Sequence, residues 1–252
     1  MTDNYIFDTH AHYDDEAFDG DRDTLLSSFP EKGIGRVINV AASVKSNKEI
    51  TALTEKYPFI YGTAGVHPDN IEELNEDAFK EIAAICDREK TVAVGEIGLD
   101  YYWHDDNKDR QKYWFERFAH LAKEKQLPVS IHSRDAAADT LDMVKSCRMY
   151  ETGAVMHCYS YSRELAREYL DMGMYFGIGG VSTFKNARKL VETIEYLPMS
   201  AILLETDCPY LAPVPYRGKR NCSLYLEHVA ERIAQLKGIT PEEVIRITRE
   251  NA

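Results

Sequence analysis

Thr91-Val92-Ala93-Val94-Gly95-Glu96-Ile97 is an apolar, β-branched run with a single carboxylate near its end. Polar and apolar residues do not alternate in it, as they would in a strand with one wet face, so it reads as a strand buried on both faces. The chain then turns helical, with Trp114, Phe118, Leu121 and Ala122 on one stripe of Gln111–Lys125. A second apolar run follows, Pro128-Val129-Ser130-Ile131-His132, again ending in a side chain that can bind a metal. Strand, helix and strand in that order form a βαβ unit with parallel strands.

The same unit recurs in both directions. Apolar runs at Tyr5–Asp8, Arg36–Ala41, Phe59–Val66, Thr91–Ile97, Pro128–His132, Ala154–Cys158, Met174–Ile178 and Ala201–Glu205 make eight expected strands, starting on average 28 residues apart. That step is close to the ~30 residues of one βα repeat. Asn47–Tyr57, Glu76–Arg88 and Glu227–Leu236 are further helical segments, and Thr240-Pro241-Glu242-Glu243 opens a last helix with an N-cap and a proline at its first position. Eight strands alternating with helices form either a closed (β/α)8 TIM barrel or a doubly wound open sheet. The barrel is favoured because the polar residues discussed next end non-neighbouring strands. A barrel brings such ends to one mouth, whereas an open sheet strings them along a line. Nothing reads as a linker, so residues 1–252 are expected to form one domain.

Composition narrows the function. Hydrophobic residues at 44% and charged residues at 29% describe a globular chain. Asp and Glu outnumber Lys and Arg by 42 to 30, a net charge of −12, which argues against nucleic-acid binding by bulk electrostatics; a phosphate partner needs a local site. No apolar run approaches the ~20 residues of a membrane span, so no membrane partner is expected. Met1-Thr2-Asp3-Asn4-Tyr5 lacks the basic and apolar regions of a leader. Five scattered cysteines without a C-x-x-C pair suit free thiols in a reducing compartment. A cytoplasmic monomer is the expectation.

His10 and His12 follow the first strand, His132 ends the fifth and His157 the sixth, while Glu96 ends the fourth and Asp207 lies just past the eighth. Histidines two apart on an extended segment point the same way and can reach one cation. Mixed imidazole and carboxylate ligands suit Zn²⁺, Mn²⁺ or Fe, and carboxylates with open water positions also admit Mg²⁺. Six ligands exceed what one catalytic metal needs, so a two-metal site bridged by a carboxylate is the natural reading. His67, before Pro68-Asp69, has two readings: support for a ligand or substrate, or a loop cap. His104, His120 and His228 read as surface or packing residues.

Five motifs then combine: Phe7-Asp8-Thr9-His10-Ala11-His12-Tyr13-Asp14, Gly95-Glu96-Ile97-Gly98-Leu99-Asp100-Tyr101-Tyr102, Ile131-His132-Ser133-Arg134, His157-Cys158-Tyr159-Ser160 and Leu204-Glu205-Thr206-Asp207-Cys208-Pro209-Tyr210-Leu211. From residue 6 to 251 the chain resembles the TatD family of metal-dependent deoxyribonucleases. The resemblance implies a TIM barrel of the amidohydrolase kind and two divalent ions (Mg²⁺, Mn²⁺ or Zn²⁺). It implies that His10, His12 and Asp207 hold one ion, His132 and His157 the other, and that Glu96 bridges them. The chain departs from many relatives at Asp69, where they carry His, at Asn221-Cys222-Ser223, where they carry Asn-x-Pro, and at Asp135-Ala136-Ala137-Ala138. These departures bear on substrate preference more than on metal binding.

Two divalent ions with Glu96 and Asp207 leave a pocket of about +2, enough to hold a phosphodiester locally against the −12 surface. Arg134 is a candidate phosphate clamp, Lys185 follows strand seven where barrels place phosphate binders, and Arg220 closes the basic loop Arg217-Gly218-Lys219-Arg220. Asp207 is the candidate general base for a water activated by the two metals. Tyr101, with Tyr102, Trp103 and Tyr159, is positioned to stack bases. The expected activity is 3′-end exonuclease action on single-stranded or frayed DNA. Two rivals remain: a small-molecule amidohydrolase or phosphoesterase on the same metals, and a non-catalytic metal- or DNA-binding protein. Many bimetallic amidohydrolases bridge their ions with a carbamylated lysine on strand four. Here that position is Glu96, and Lys90 precedes the strand.

Overall fold

The computed structural model describes residues 5–252. The reading of the amino terminus as leaderless concerns Met1–Asn4, which lie outside them. Eight strands run β1 (Ile6–Ala11), β2 (Ile34–Asn39), β3 (Ile60–Ala64), β4 (Thr91–Asp100), β5 (Val129–Arg134), β6 (Ala154–Met156), β7 (Tyr175–Ile178) and β8 (Ile202–Leu204). They form one sheet in sequence order. The pairs β1–β2, β3–β4, β4–β5, β5–β6 and β7–β8 are parallel. A parallel bridge between Ala11 and Cys208 joins β1 to the chain just past β8. The fold is a (β/α)8 TIM barrel, and each strand lies where its apolar run placed it.

The helices are α1 (Arg22–Ser27), α2 (Val44–Lys56), α3 (Glu76–Ile85), α4 (Lys108–Lys125), α5 (Ala137–Ser146), α6 (Arg163–Asp171), α7 (Arg188–Tyr196), α8 (Leu226–Lys237) and α9 (Pro241–Asn251). Capping decides several boundaries. Ser43 and Ser46 exchange bonds at the start of α2, three residues earlier than periodicity alone suggested, and Thr240 and Glu243 do the same at α9. None of the helices among the described residues is long and apolar enough to cross a membrane. The five thiols are free.

By packing, the chain divides into two compact units. One comprises the chain up to Asn39 with Cys158–Asp171 and Tyr175–Ala252; the other comprises Val40–His157 with Met172–Met174. In the first unit Tyr13, fully buried, packs its ring against Phe18 and Phe29 at 4.8 and 5.5 Å. In the second, Phe79 of α3 meets Trp114 and Phe118 of α4 at 5.7 and 5.1 Å, so the apolar stripe of α4 is spent on its neighbouring helix as well as on the sheet.

Two strands carry an extra residue where the chemistry lies. Between Asp8 and Ala11, β1 advances three residues while β2 advances two, and between Val94 and Ile97, β4 does the same against β5. Such bulges turn a side chain away from the regular alternation. The first contains His10, the second Glu96. Glu96 was expected to end its strand, but β4 continues to Asp100, because Gly98, Leu99 and Asp100 go on pairing with His132, Ser133 and Arg134. Gly98 makes that possible: at its φ of 152° a Cβ would lie 1.9 Å from the His132 carbonyl oxygen.

Candidate metal centre

In the first unit, β1 and the chain beyond β8 bring three ligand-type side chains together. His10 Nε2 lies 3.2 Å from His12 Nε2, and Asp207 Oδ1 lies 3.3 Å from His12 Nε2 and 3.9 Å from His10 Nε2. Donors bound at ~2.0–2.2 Å around one ion stand roughly 3–3.5 Å apart, so these three atoms fit a single divalent cation with little movement. Asp207 adopts a left-handed backbone (φ 56°), a conformation aspartate tolerates. Its N–H donates to the His10 carbonyl at 2.9 Å, and the His12 N–H donates to the Cys208 carbonyl at 2.8 Å.

A buried carboxylate holds this geometry from below. Asp8 is fully buried and accepts from the backbone N–H of His10 (3.3 Å) and Thr206 (3.1 Å) and from the hydroxyls of Thr206 (2.8 Å) and Ser223 (2.6 Å). Burial pushes its pKa up to about 7, although the four donors pull the other way. Ser223 also donates its N–H to the Tyr13 hydroxyl at 2.8 Å. A proline at 223, as in many relatives, could make neither contact. The departure at Asn221-Cys222-Ser223 therefore falls on the buried support of β1.

The second unit builds its cluster differently. His132 is bracketed by two carboxylates, with Nδ1 2.8 Å from Glu96 Oε1 and Nε2 3.1 Å from Asp100 Oδ2. His157 Nε2 and His67 Nε2 approach the same Glu96 oxygen at 3.5 and 3.8 Å. Burial works against charge on His132, but hydrogen bonds to Asp100 and Glu96 outweigh it and lift its pKa to about 10. Asp100 is held below the usual carboxylate range despite burial, by His132 and by the N–H groups of Trp103 and Tyr102. Two buried carboxylates around one imidazole require a cation between them, and a divalent metal meets that requirement as a proton does. His67 caps a loop, and its other ring nitrogen lies near Glu96. Its Nδ1 accepts from the Asp69 N–H at 3.1 Å, capping the following turn, while its Nε2 faces Glu96. Asp69 adds a carboxylate whose pKa is raised by burial and by Asp100.

Around these clusters the expected substrate contacts sort themselves. Arg220 forks onto both oxygens of Asp21 at 2.7 and 2.6 Å and donates to the Ala17 carbonyl at 2.7 Å, so its guanidinium is committed within the protein. The Tyr101 hydroxyl donates to Asp139 at 2.7 Å, and Lys108 lies 4.5 Å from its ring centre. Tyr159 is buried against Phe176 and donates to the Ser162 carbonyl, which removes it as a stacking surface. Arg134 is exposed but stacks on Tyr102 at 4.0 Å. Lys185 borders a groove of about 600 Å³ between the Gly180–Thr183 turn, α7 and α8. His104 is half-buried beside Asp69, His120 is exposed on α4, and His228 pairs with Glu231 on α8.

Residues that the strand-end reading passed over matter here. Asp100 stands two and four positions after Gly98 and Glu96 on one strand, so period-2 alternation would have put it on the Glu96 face. Asp8, two before His10, carries the same period-2 signal, but its hydroxyl partners Thr206 and Ser223 are 198 and 215 positions away. Glu205, also buried, accepts from the Cys158 N–H at 2.7 Å and occupies the space left by Gly177, where a Cβ would lie 1.8 Å from Glu205 Oε2.

The family model for TatD related DNase matches residues 7–252. The chain belongs to the TatD family. A Bacillus subtilis relative described as the uncharacterized metal-dependent hydrolase YabD is 41% identical, the match covering 98% of this chain and 97% of that one. A Citrobacter rodentium relative described as the 3′-5′ ssDNA/RNA exonuclease TatD is 31% identical over 98% and 96% of the two chains. Among solved structures, the TatD homologue YjjV of Escherichia coli superposes with a TM-score of 0.93 at 30% identity, covering 99% of this chain and 97% of that one. This TatD-family chain is a metal-dependent hydrolase, and both clusters carry side chains able to hold its metal.

Proposed function

We propose that this TatD-family hydrolase is a deoxyribonuclease that trims the 3′ ends of single-stranded or frayed DNA with the help of two divalent ions. The observation that carries this reading is the pair of histidine–carboxylate clusters at the carboxyl ends of strands in a single parallel sheet, the end where barrel enzymes place their chemistry. In it, His10, His12 and Asp207 would hold one divalent ion, and Glu96, His132 and His157 would hold the other. Bound Mg²⁺, Mn²⁺ or Zn²⁺ would supply the positive charge that polarises a phosphoryl oxygen and makes a water acidic near neutral pH. Asp207 accepts the proton of the attacking water. Its side chain is 18% exposed, against 3% for Glu96 and 1% for Asp100, so of these three carboxylates it is the one that water reaches. The water oxygen attacks phosphorus, the bond to the leaving O3′ breaks, and Asp207 returns the proton to that oxygen.

The test uses metal-stripped protein with 3′-labelled or 5′-labelled single-stranded DNA and Mg²⁺, Mn²⁺ or Zn²⁺ restored. Immediate release of mononucleotide from the 3′ label, with a ladder from the 5′ label, supports the proposal. Cleavage of circular single strands at the linear rate overturns the end preference, and no cleavage with any metal overturns the substrate. One observation favours a second reading, a small-molecule amidohydrolase or phosphoesterase: Arg220 is engaged by Asp21, which leaves one cation fewer for a strand's phosphates. Turnover of lactones, amides or small phosphoesters in place of DNA would select it.

A further inference from the structure

The turn after β4 presents two large aromatic side chains to solvent. Tyr102 is 54% and Trp103 60% exposed, and their rings meet edge to face with centres 4.7 Å apart. Exposing both forgoes the burial that normally rewards such side chains, so the pair calls for a partner. The guanidinium of Arg134 lies 4.0 Å from the Tyr102 ring centre and 5.5 Å from that of Trp103. Arg134 makes no ion pair among the described residues, nor does Lys108 beside Tyr101, in a chain with 42 acidic and 30 basic side chains.

The turn is held in place before any ligand arrives. Asp100 Oδ1 accepts the N–H groups of Tyr102 and Trp103 at 2.9 and 3.0 Å, while its Oδ2 lies 3.1 Å from His132 Nε2. The Tyr101 N–H donates to the Arg134 carbonyl at 2.9 Å, which ties the turn to the end of β5. One carboxylate thus couples the aromatic pair to an imidazole of the second cluster, and aromatics fixed this way lose little entropy when they bind.

We propose that Tyr102, Trp103 and Arg134 form a stacking subsite for a nucleobase of single-stranded nucleic acid. The subsite deepens the phosphodiesterase reading above and rests on it. Aromatic faces take any base, and a guanidinium without a carboxylate partner suits the adjoining phosphate, so the subsite recognises the strand without reading its sequence. Of the four aromatic residues that the sequence nominated for stacking, Tyr159 is buried and the Tyr101 hydroxyl is bonded to Asp139, which leaves these two to meet a ligand.

Trp103 is the natural reporter, because the other tryptophan, Trp114, is buried. The full chain is titrated with a hydrolysis-resistant phosphorothioate thymidine tetramer and with an abasic tetramer on the same backbone. Saturable quenching of tryptophan fluorescence by the first and not by the second is expected. In anisotropy titrations with labelled tetramer, Trp103→Ala and Tyr102→Ala should each weaken binding by about 5- to 150-fold. Trp103→Phe should restore most of the affinity, and Tyr196→Ala, a similarly exposed tyrosine on α7, should change nothing. Equal binding of the abasic tetramer, or unchanged binding by Trp103→Ala, would overturn the subsite. The readout needs no bond cleavage, so the two proposals fail separately. Base-dependent binding without cleavage of ordinary DNA supports the subsite and removes the nuclease. Cleavage with an unchanged KM in Trp103→Ala removes the subsite and leaves the nuclease.

Discussion

The two clusters hold similar ligand-type side chains by different means. The His10–His12–Asp207 group has one carboxylate among its ligand-type side chains, and its support is applied to the backbone: Asp8 accepts the N–H groups of His10 and Thr206, and no imidazole nitrogen is involved in those bonds. The Glu96–His132–His157 group has its support applied to the ring, with Asp100 on one imidazole nitrogen of His132 and Glu96 on the other. The difference teaches where each cluster is vulnerable. Removing a clamp on the backbone costs folding free energy, whereas removing a partner of the ring changes the orientation and basicity of a ligand.

The largest expected effect tests the chemistry of the first cluster. Asp207→Asn should lower kcat by roughly 10³-fold or more, the scale of a lost general base, while a labelled oligonucleotide still binds. Single-turnover cleavage and anisotropy on the same preparation would check it, and retained turnover would remove Asp207 from its role. Next comes Asp8→Ala, which leaves four buried donors without their acceptor and should cost about 2–4 kcal/mol in urea denaturation. Asp100→Asn should behave the opposite way, losing about 10- to 100-fold in metal affinity by calorimetric titration with a smaller stability change. If Asp8→Ala chiefly weakened metal binding and Asp100→Asn chiefly unfolded the protein, the contrast between the clusters would collapse. The smallest effect belongs to the rim. Arg220→Ala removes an exposed pair with Asp21 and should cost under about 1 kcal/mol, with KM for DNA unchanged. A several-fold rise in KM would return Arg220 to the substrate.

Much of the architecture was legible because it depends on local pattern. Runs such as Thr91–Ile97 are too apolar for a wet face, and the stripe of α4 has helical period, so strand and helix positions follow from burial alone. The six ligand-type residues were legible for a related reason. Polar side chains that end buried apolar runs are conspicuous, and the structure brings His10, His12 and Asp207 together in one unit and Glu96, His132 and His157 in the other. The bulges that turn His10 and Glu96 were not legible, because an extra residue in one strand is defined only by its pairing with the next.

The substrate contacts were least legible. Arg220 and Tyr101 were reasonable nominations by type and position, but a surface cation or phenol takes whichever partner folding brings near. Asp21 and Asp139, which claim Arg220 and Tyr101, are 199 and 38 positions away in sequence. The sequence by itself determined the order of strands and helices, the metal-binding chemistry and the family, since each is written in short-range pattern and residue type. Tertiary structure alone decided that Asp8 and Asp100 bond to the two histidine clusters, that Ser223 serves the buried network, and that Tyr102 and Trp103 are the aromatics left facing solvent. Those outcomes depend on partners brought together by strand pairing, and on which side chains burial has already used.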